Sequence, residues 1–260
     1  MINIKEYVAA EKEKIKKWIN SDSGSRWSNT IPTLHIVQVG NNEASNRYIK
    51  NKIKDCEEVG IAANLHKLSD KINSHDLQLF VDKLDGPIIV QLPLPTGVKV
   101  PHINPVKDVD GFEKNSRFIP CTPGGIMGYL RECGLANGEG KLAVVIGRSK
   151  IVGKPMAKLL LEYNWTTVVV HSKTGEELKD TLLKEADLIV CAVGKAGFLD
   201  PTDCKPGAFI VDVGINFDEN GKLVGDVIPN MSKRTTPVPG GVGLLTRLQL
   251  MKNVVKFYGK

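Results

Sequence analysis

Cysteine is scarce in this chain. The five present, Cys56, Cys121, Cys133, Cys191 and Cys204, form no CxxC pair and show no metal-ligand spacing. An odd, scattered set of this kind predicts reduced thiols, with neither a disulfide framework nor a metal site. No apolar run approaches the roughly 20 residues needed to cross a bilayer. Arginine-rich tracts and interleaved basic and aromatic residues are also missing. The net charge of +6 is therefore spread thinly, which argues against a nucleic-acid surface. A mild positive balance suits small anionic ligands, or simply a solvated basic surface. The opening MINIKEYVAAEKEKIKKWIN mixes Glu and Lys at helical spacing. It lacks the apolar stretch of a secretory signal and carries the acids a transit peptide avoids, so a cytoplasmic location is expected. Internal repeats and low-complexity tracts are absent too.

What is present is an alternation of strand and helix. The 260 residues, 42% hydrophobic and 25% charged, have room for one large or two modest domains. PTLHIVQVG reads as a strand and EASNRYIKNKIKDCEEVG as a helix stopped by Gly60. A short strand from Ala63 to Leu68 follows, then a helix opened by Ser74 and a strand in PIIVQLPLP. This βαβαβ series predicts a parallel sheet with helices on its faces. A break rich in polar and turn residues, DVDGFEKNSRFIPCTPGG, precedes a second series. It runs through helix IMGYLRECG, strand KLAVVIG, helix KPMAKLLLEYN, strand TTVVVHS, a helix near Glu176 to Lys184, and strands ADLIVCAVG and AFIVDVGI. Four buried strands with short connections predict a dinucleotide-binding unit. A final helix, LLTRLQLMKNVVKFYGK, is expected to return to the first domain.

In open α/β sheets ligands collect outside the carboxyl ends of the strands, and the informative residues lie there. Tyr48 and Lys52 are four apart on one helix, so they share a face; on that spacing alone, in a lysine-rich helix, a solvent-facing lysine is the favoured reading. Gln91, where PIIVQ ends, adds an amide able to orient an amine. Asp110 in KDVDGF offers a carboxylate to a heterocycle's N–H groups, although Asp before Gly is also an ordinary turn. In the second series, GRSKIVGKP is not the full GxGxxG fingerprint, since only Gly147 and Gly153 are present. Its strand–turn–helix position nevertheless suits a phosphate at a helix N-terminus. The next strand ends in His171, Ser172, Lys173 and Thr174, without the acid that accepts from an NAD ribose hydroxyl. With Arg148 in the neighbouring turn, a guanidinium and a hydroxyl suit a 2′-phosphate. That points to NADP.

Taken in order, ASNRYIKNKIKDCEEVGI, VQLPLP, KDVDGF, PCTPGG, GRSKIVGKP, HSKT, VDVGI, GDV and TPVPGGVG resemble the bifunctional methylenetetrahydrofolate dehydrogenase/methenyltetrahydrofolate cyclohydrolase family. The resemblance implies a two-domain α/β fold: a parallel-sheet substrate domain and a Rossmann-like NADP-binding domain, with the active site in a cleft between them. It sets the folate-binding domain at 1–121, completed by a C-terminal helix at 240–260, and the NADP domain at 122–239. It implies that Lys52 is the catalytic amine, positioned by Gln91, that Tyr48 stacks on the folate's aminobenzoyl ring, and that Asp110 binds the pterin. Gly240 and Gly241 would lie between nicotinamide and folate. Gly147, Arg148, Ser149, Gly153, Ser172 and Ile215 would line the NADP site, with Arg148 and Ser172 on the 2′-phosphate. A homodimer without nucleic-acid or membrane partners is implied as well. Two alternatives stay open: a dehydrogenase that has largely lost the cyclohydrolase, and a catalytically silent folate- or nucleotide-binding protein. The chain differs from the family's usual pattern in its shorter start and in a shortened stretch between KDVDGF and PCTPGG. It also has Leu244 and Leu245 where the family has Pro and Met; losing that proline predicts a freer loop.

Overall fold

The computed structural model describes residues 2–21, 31–229 and 234–259. The chain divides into two compact units, one of Ala9–Cys121 with Arg247–Lys260, the other of Met1–Val8 with Thr122–Thr246. The partition falls inside the first helix, α1 (Ile4–Ile19), and the last, α7 (Val242–Tyr258), so each helix contributes residues to both units.

The first unit holds a parallel sheet of order β2-β1-β3, from β1 (Thr33–Val39), β2 (Ala62–Leu68) and β3 (Ile88–Val90). Thr33 aligns with Ala62 and His35 with Ile88. The β-branched runs explain the strands; Pro93 and Pro95 explain why the third ends at Val90, before the motif does. Helix α2 (Glu43–Val59) is capped by Asn42, whose side chain accepts from the Ser45 amide at 3.0 Å. It stops at Gly60 in the left-handed region, φ 89°, as the sequence predicts. Helix α3 (Ser74–Lys83) is opened by Asn73 rather than by Ser74: the Asn73 side chain accepts from the Asp76 amide, and Ser74 is the first helical residue. Beneath α3, Val37, Val39, Leu77, Val81, Ile88 and Val90 form a buried cluster. Each such side chain contributes about 1.5–3 kcal/mol through burial.

The second unit holds a four-stranded parallel sheet of order β5-β4-β6-β7. Its strands are β4 (Leu142–Ile146), β5 (Thr166–Val170), β6 (Leu188–Cys191) and β7 (Phe209–Asp212). Between them run α5 (Gly153–Glu162) and α6 (Glu176–Glu185), both where the apolar periodicity places them. The reversal of strand order beside β4 is a topological switch point, the usual crevice for a dinucleotide. Helix α4 (Cys121–Glu132) starts at Cys121, well before Ile126. Gly125 lets it approach α7, because a Cβ there would lie 2.3 Å from the Leu245 carbonyl oxygen. A short hairpin, β8 (Asn216–Phe217) with β9 (Leu223–Val224), has no counterpart in the sequence reading. The strands are too short to show alternation; the turn is built by Asp218, whose side chain accepts from the Asn220 and Lys222 amides. Among the described residues no helix is long and apolar enough to cross a membrane, and all five cysteines are free thiols.

Candidate active site

In the first unit the fold joins residues from a helix and a strand end. α2 carries Tyr48 and Lys52 one turn apart, and Lys52 is only 6% exposed. Its Nζ donates to Gln91 Oε1 at 3.1 Å and sits 4.9 Å from the centroid of the Tyr48 ring. Gln91 follows β3 directly and continues the ladder, its amide donating to the Val37 carbonyl at 2.8 Å. Its side-chain Nε2 donates to the Leu92 carbonyl at 2.8 Å. With that nitrogen committed, the oxygen must face the amine. Lys52 is thus buried, partnered by a neutral acceptor and set against an aromatic ring. A solvent-facing lysine has none of these features.

Asp110 joins the group, since the Lys52 charge acts directly on it. Burial pushes the Asp110 carboxyl above its ordinary value, with Lys52 and a contact to the Cys121 thiol pulling it back. The turn carrying it is clamped by Asp108, 1% exposed, which the sequence reading passed over. Asp108 Oδ1 accepts from the Gly111 amide at 3.1 Å and Oδ2 from the Glu113 amide at 2.7 Å. Gly111 has φ +78°, and a Cβ there would lie 2.7 Å from the Pro120 nitrogen, so only glycine fits. Burial raises Asp108 too, opposed chiefly by the Glu113 amide. KDVDGF shows two aspartates two apart; their division into clamp and free carboxylate is a tertiary fact.

A separate group lies at the carboxyl edge of the second sheet. Gly147 follows β4 with φ +112°, and a Cβ there would come 2.3 Å from the Ala192 carbonyl oxygen. At Gly153 a Cβ would come 2.2 Å from the Gly147 oxygen. Both glycines are therefore required for the turn to close. Ser149 ties the turn to the start of the helix that follows: its Oγ accepts from the Val152 and Gly153 amides at 3.1 and 3.3 Å, and its carbonyl accepts from the Lys154 amide at 3.0 Å. These helix-start amides are thus engaged within the chain. Arg148 and Ser172 are exposed, each two residues beyond the paired Ile146 and Val170. His171 and Thr174 close the turn after β5, with the His171 amide donating to Thr174 Oγ1 at 3.0 Å. Ile215, 61% exposed, lies just past β7. Gly240 and Gly241 lie in the turn leading into α7. Gly240 has φ +94°, and a Cβ on Gly241 would meet the Pro237 oxygen at 2.2 Å.

Comparison with known proteins likewise divides the chain in two. Residues 2–110 match the tetrahydrofolate dehydrogenase/cyclohydrolase catalytic domain, and residues 120–260 match that family's NAD(P)-binding domain. The bifunctional protein FolD of Acetivibrio thermocellus is 43% identical, covering 97% of this chain and 92% of the relative. That of Campylobacter concisus is 42% identical over 98% and 93%. Among solved structures, the FolD methylenetetrahydrofolate dehydrogenase/cyclohydrolase of Campylobacter jejuni is 37% identical, with a TM-score of 0.88 over 98% of this chain and 97% of that one. The Trypanosoma brucei enzyme, solved with NADP and an inhibitor, is 28% identical, with a TM-score of 0.89 over 99% and 96%. The buried amine, the glycine turn after β4 and these full-length matches agree: the chain belongs to the tetrahydrofolate dehydrogenase/cyclohydrolase family.

Proposed function

We propose that this protein oxidises methylenetetrahydrofolate with NADP and hydrolyses the methenyl product to 10-formyltetrahydrofolate, with Lys52 as the acting amine. The observation that carries this reading is the Lys52–Gln91 contact at 3.1 Å over the Tyr48 ring. Tyr48 offers a face for the planar aminobenzoyl portion of the folate, and Asp110 an acceptor for the pterin N–H groups. Gln91 holds the amine in one place while leaving it able to exchange protons. In its neutral form Lys52 removes a proton from the water that adds to the methenyl carbon. The ammonium so formed returns a proton to the ring nitrogen as the carbon–nitrogen bond opens, and the remaining hydroxyl proton leaves to solvent as the formyl carbonyl forms.

The NADP site is supported by the edge of the second sheet. Gly147, Ser149 and Gly153 shape a turn with no room for side chains at its glycines. Arg148 and Ser172 supply a guanidinium and a hydroxyl for a 2′-phosphate, with no acid between His171 and Thr174 to repel it. Ile215 adds an exposed apolar surface at the same strand ends. NADP held there would supply the acceptor for the hydride of the methylene carbon. Gly240 and Gly241 provide bare backbone for close ligand approach. A homodimer is expected through this unit, where Leu161, Leu178 and Phe217 are left exposed. Its setting is expected to be the cytoplasm, where free thiols persist.

Lys52→Met tests the central assignment. Cyclohydrolase activity should fall to the uncatalysed rate while folate still quenches protein fluorescence on binding. Methenyl hydrolysis above background in that variant would show that another group carries the chemistry.

A further inference from the structure

The best-satisfied polar cluster of the second unit has no place in the mechanism so far. Asp226 is fully buried and Asp212 is 3% exposed. Asp226 Oδ2 accepts from the amides of Val193 and Gly194 at 2.7 and 3.0 Å. Its Oδ1 accepts from the Lys195 amide and from Asn216 Nδ2, both at 2.9 Å. Three consecutive amides thus converge on one carboxylate. Asp212 in turn fixes Asp226: its Oδ1 accepts from the Asp226 amide at 2.9 Å and its Oδ2 from the Val227 amide at 3.1 Å.

Two glycines make this possible. A Cβ on Gly225 would lie 1.8 Å from Asp212 Oδ2, and one on Gly214 would lie 2.2 Å from the Asp226 nitrogen. Each glycine sits against the other's aspartate, so VDVGI and GDV form one interlocked device. An uncompensated buried carboxylate is expensive, so these donors are what allows Asp226 to be buried. The place of the device explains its presence. Val193 to Lys195 begin one residue after β6, past Ala192, at the switch point beside β4, and the Gly147 turn abuts the same connection, with Ala192 O in the path of a Gly147 side chain.

We propose that Asp226 is a positioning residue for the dinucleotide: it holds the Val193–Lys195 backbone in the shape against which the cofactor binds. The inference rests on the NADP reading above and adds a residue that acts through backbone rather than by touching the ligand. A carboxylate suits the task because it accepts from several amides at once with no hydrogen to misplace. An asparagine in its place turns one acceptor into a donor facing N–H groups, so the connection must rearrange. Cyclohydrolase chemistry, which needs Lys52 and no dinucleotide, should not notice.

The test uses the full-length protein and NADP itself. Titration calorimetry measures NADP affinity for wild type, Asp226→Asn and Asn216→Ala, and methenyl hydrolysis is assayed without cofactor. Asp226→Asn should weaken NADP by roughly ten- to a hundredfold, the range for losing a charge-assisted hydrogen bond. Hydrolysis should stay within about twofold, a factor worth well under 1 kcal/mol. Asn216→Ala, which removes one donor and leaves the amides in place, should weaken NADP by a few-fold. It also serves as the deciding variant if Asp226→Asn does not fold. NADP affinity within twofold of wild type in every folded variant would overturn the proposal. A parallel loss of NADP binding and of hydrolysis would overturn it too, because a general structural role moves both. Failure of wild type to bind NADP would instead sink the cofactor reading.

Discussion

At the scale of single residues, environment assigns roles that residue type leaves open. Lys50, Lys52 and Lys54 share one helix, yet only Lys52 is buried, because its spacing from Tyr48 turns it towards Gln91. Asp108 and Asp110 differ in the same way: one carboxylate is consumed by backbone amides, the other remains within reach of the Lys52 charge. Asp110 gives a pH prediction whose sign follows from its surroundings. Burial raises its pKa from 3.8, so on acidification it loses its charge earlier than an ordinary aspartate does, and with it the acceptor we propose for the pterin. The acid limb of kcat/KM for the folate should therefore lie above pH 3.8. Asp110→Asn should lower kcat/KM and remove that limb; an unchanged acid limb in the variant would assign it elsewhere. The same raised pKa means that the folded state binds more protons than the unfolded chain just above the ordinary value. The Asp110 contribution to stability accordingly falls as pH rises through that window.

At the scale of elements, the clearest revision concerns α7. The replacement of Pro and Met by Leu244 and Leu245 predicts a freer loop, but the helix already begins at Val242. Leu245 is fully buried, and the Leu244 amide donates to the Gly241 carbonyl at 3.0 Å. These leucines belong to a packed first turn, where apolar contact replaces the rigidity that proline would supply. Leu244→Pro removes that hydrogen bond and part of the side-chain packing. It should therefore cost about 0.5–1.5 kcal/mol and leave the folate KM essentially unchanged. Thermal unfolding and KM measured on the same sample decide: a lower KM without loss of melting temperature would restore the loop reading. How far the sequence could be read divides along the same line. Strands β4 to β7 and helix α2 are legible because long apolar or capped segments are dictated locally. Hairpin β8–β9 and the early start of α4 are not, because two-residue strands carry no period and a Pro-Gly-Gly start reads as a break.

At the scale of the whole molecule, distant segments are tied by buried charge. Asp55, 7% exposed, pairs with Lys12 at 2.7 Å through one oxygen and with Arg247 through the other. All three belong to the first unit, drawn from α1, α2 and α7. Burial works against the Lys12 ammonium, but Asp55 and Glu58 more than offset it and hold its pKa above the usual value. The sign follows: the Lys12 contribution is present below the pKa of an unfolded lysine and is lost as pH rises through the folded value. Breaking a buried pair leaves an uncompensated charge, at roughly 3–5 kcal/mol. Arg247→Met should cost about 3 kcal/mol, the lower end of that range, since Lys12 still faces Asp55. Chemical denaturation would show this as a lower midpoint with the slope preserved, whereas a loss under 1 kcal/mol would make the pair incidental.

Sequence alone determined the order of strands and helices outside the β8–β9 hairpin, the absence of an acid after β5, and the helical spacing of Tyr48 and Lys52. These are local matters, set by side-chain period, turn chemistry and residue type within a few positions. Tertiary structure decided which titratable groups are buried and what each one faces. Gln91 meets Lys52 across 39 positions, Arg247 meets Asp55 across 192, and Asp226 gathers amides from 31 to 33 positions away. No local pattern encodes such partners: desolvation and hydrogen bonding depend on what the chain brings alongside, and the folded backbone alone specifies that.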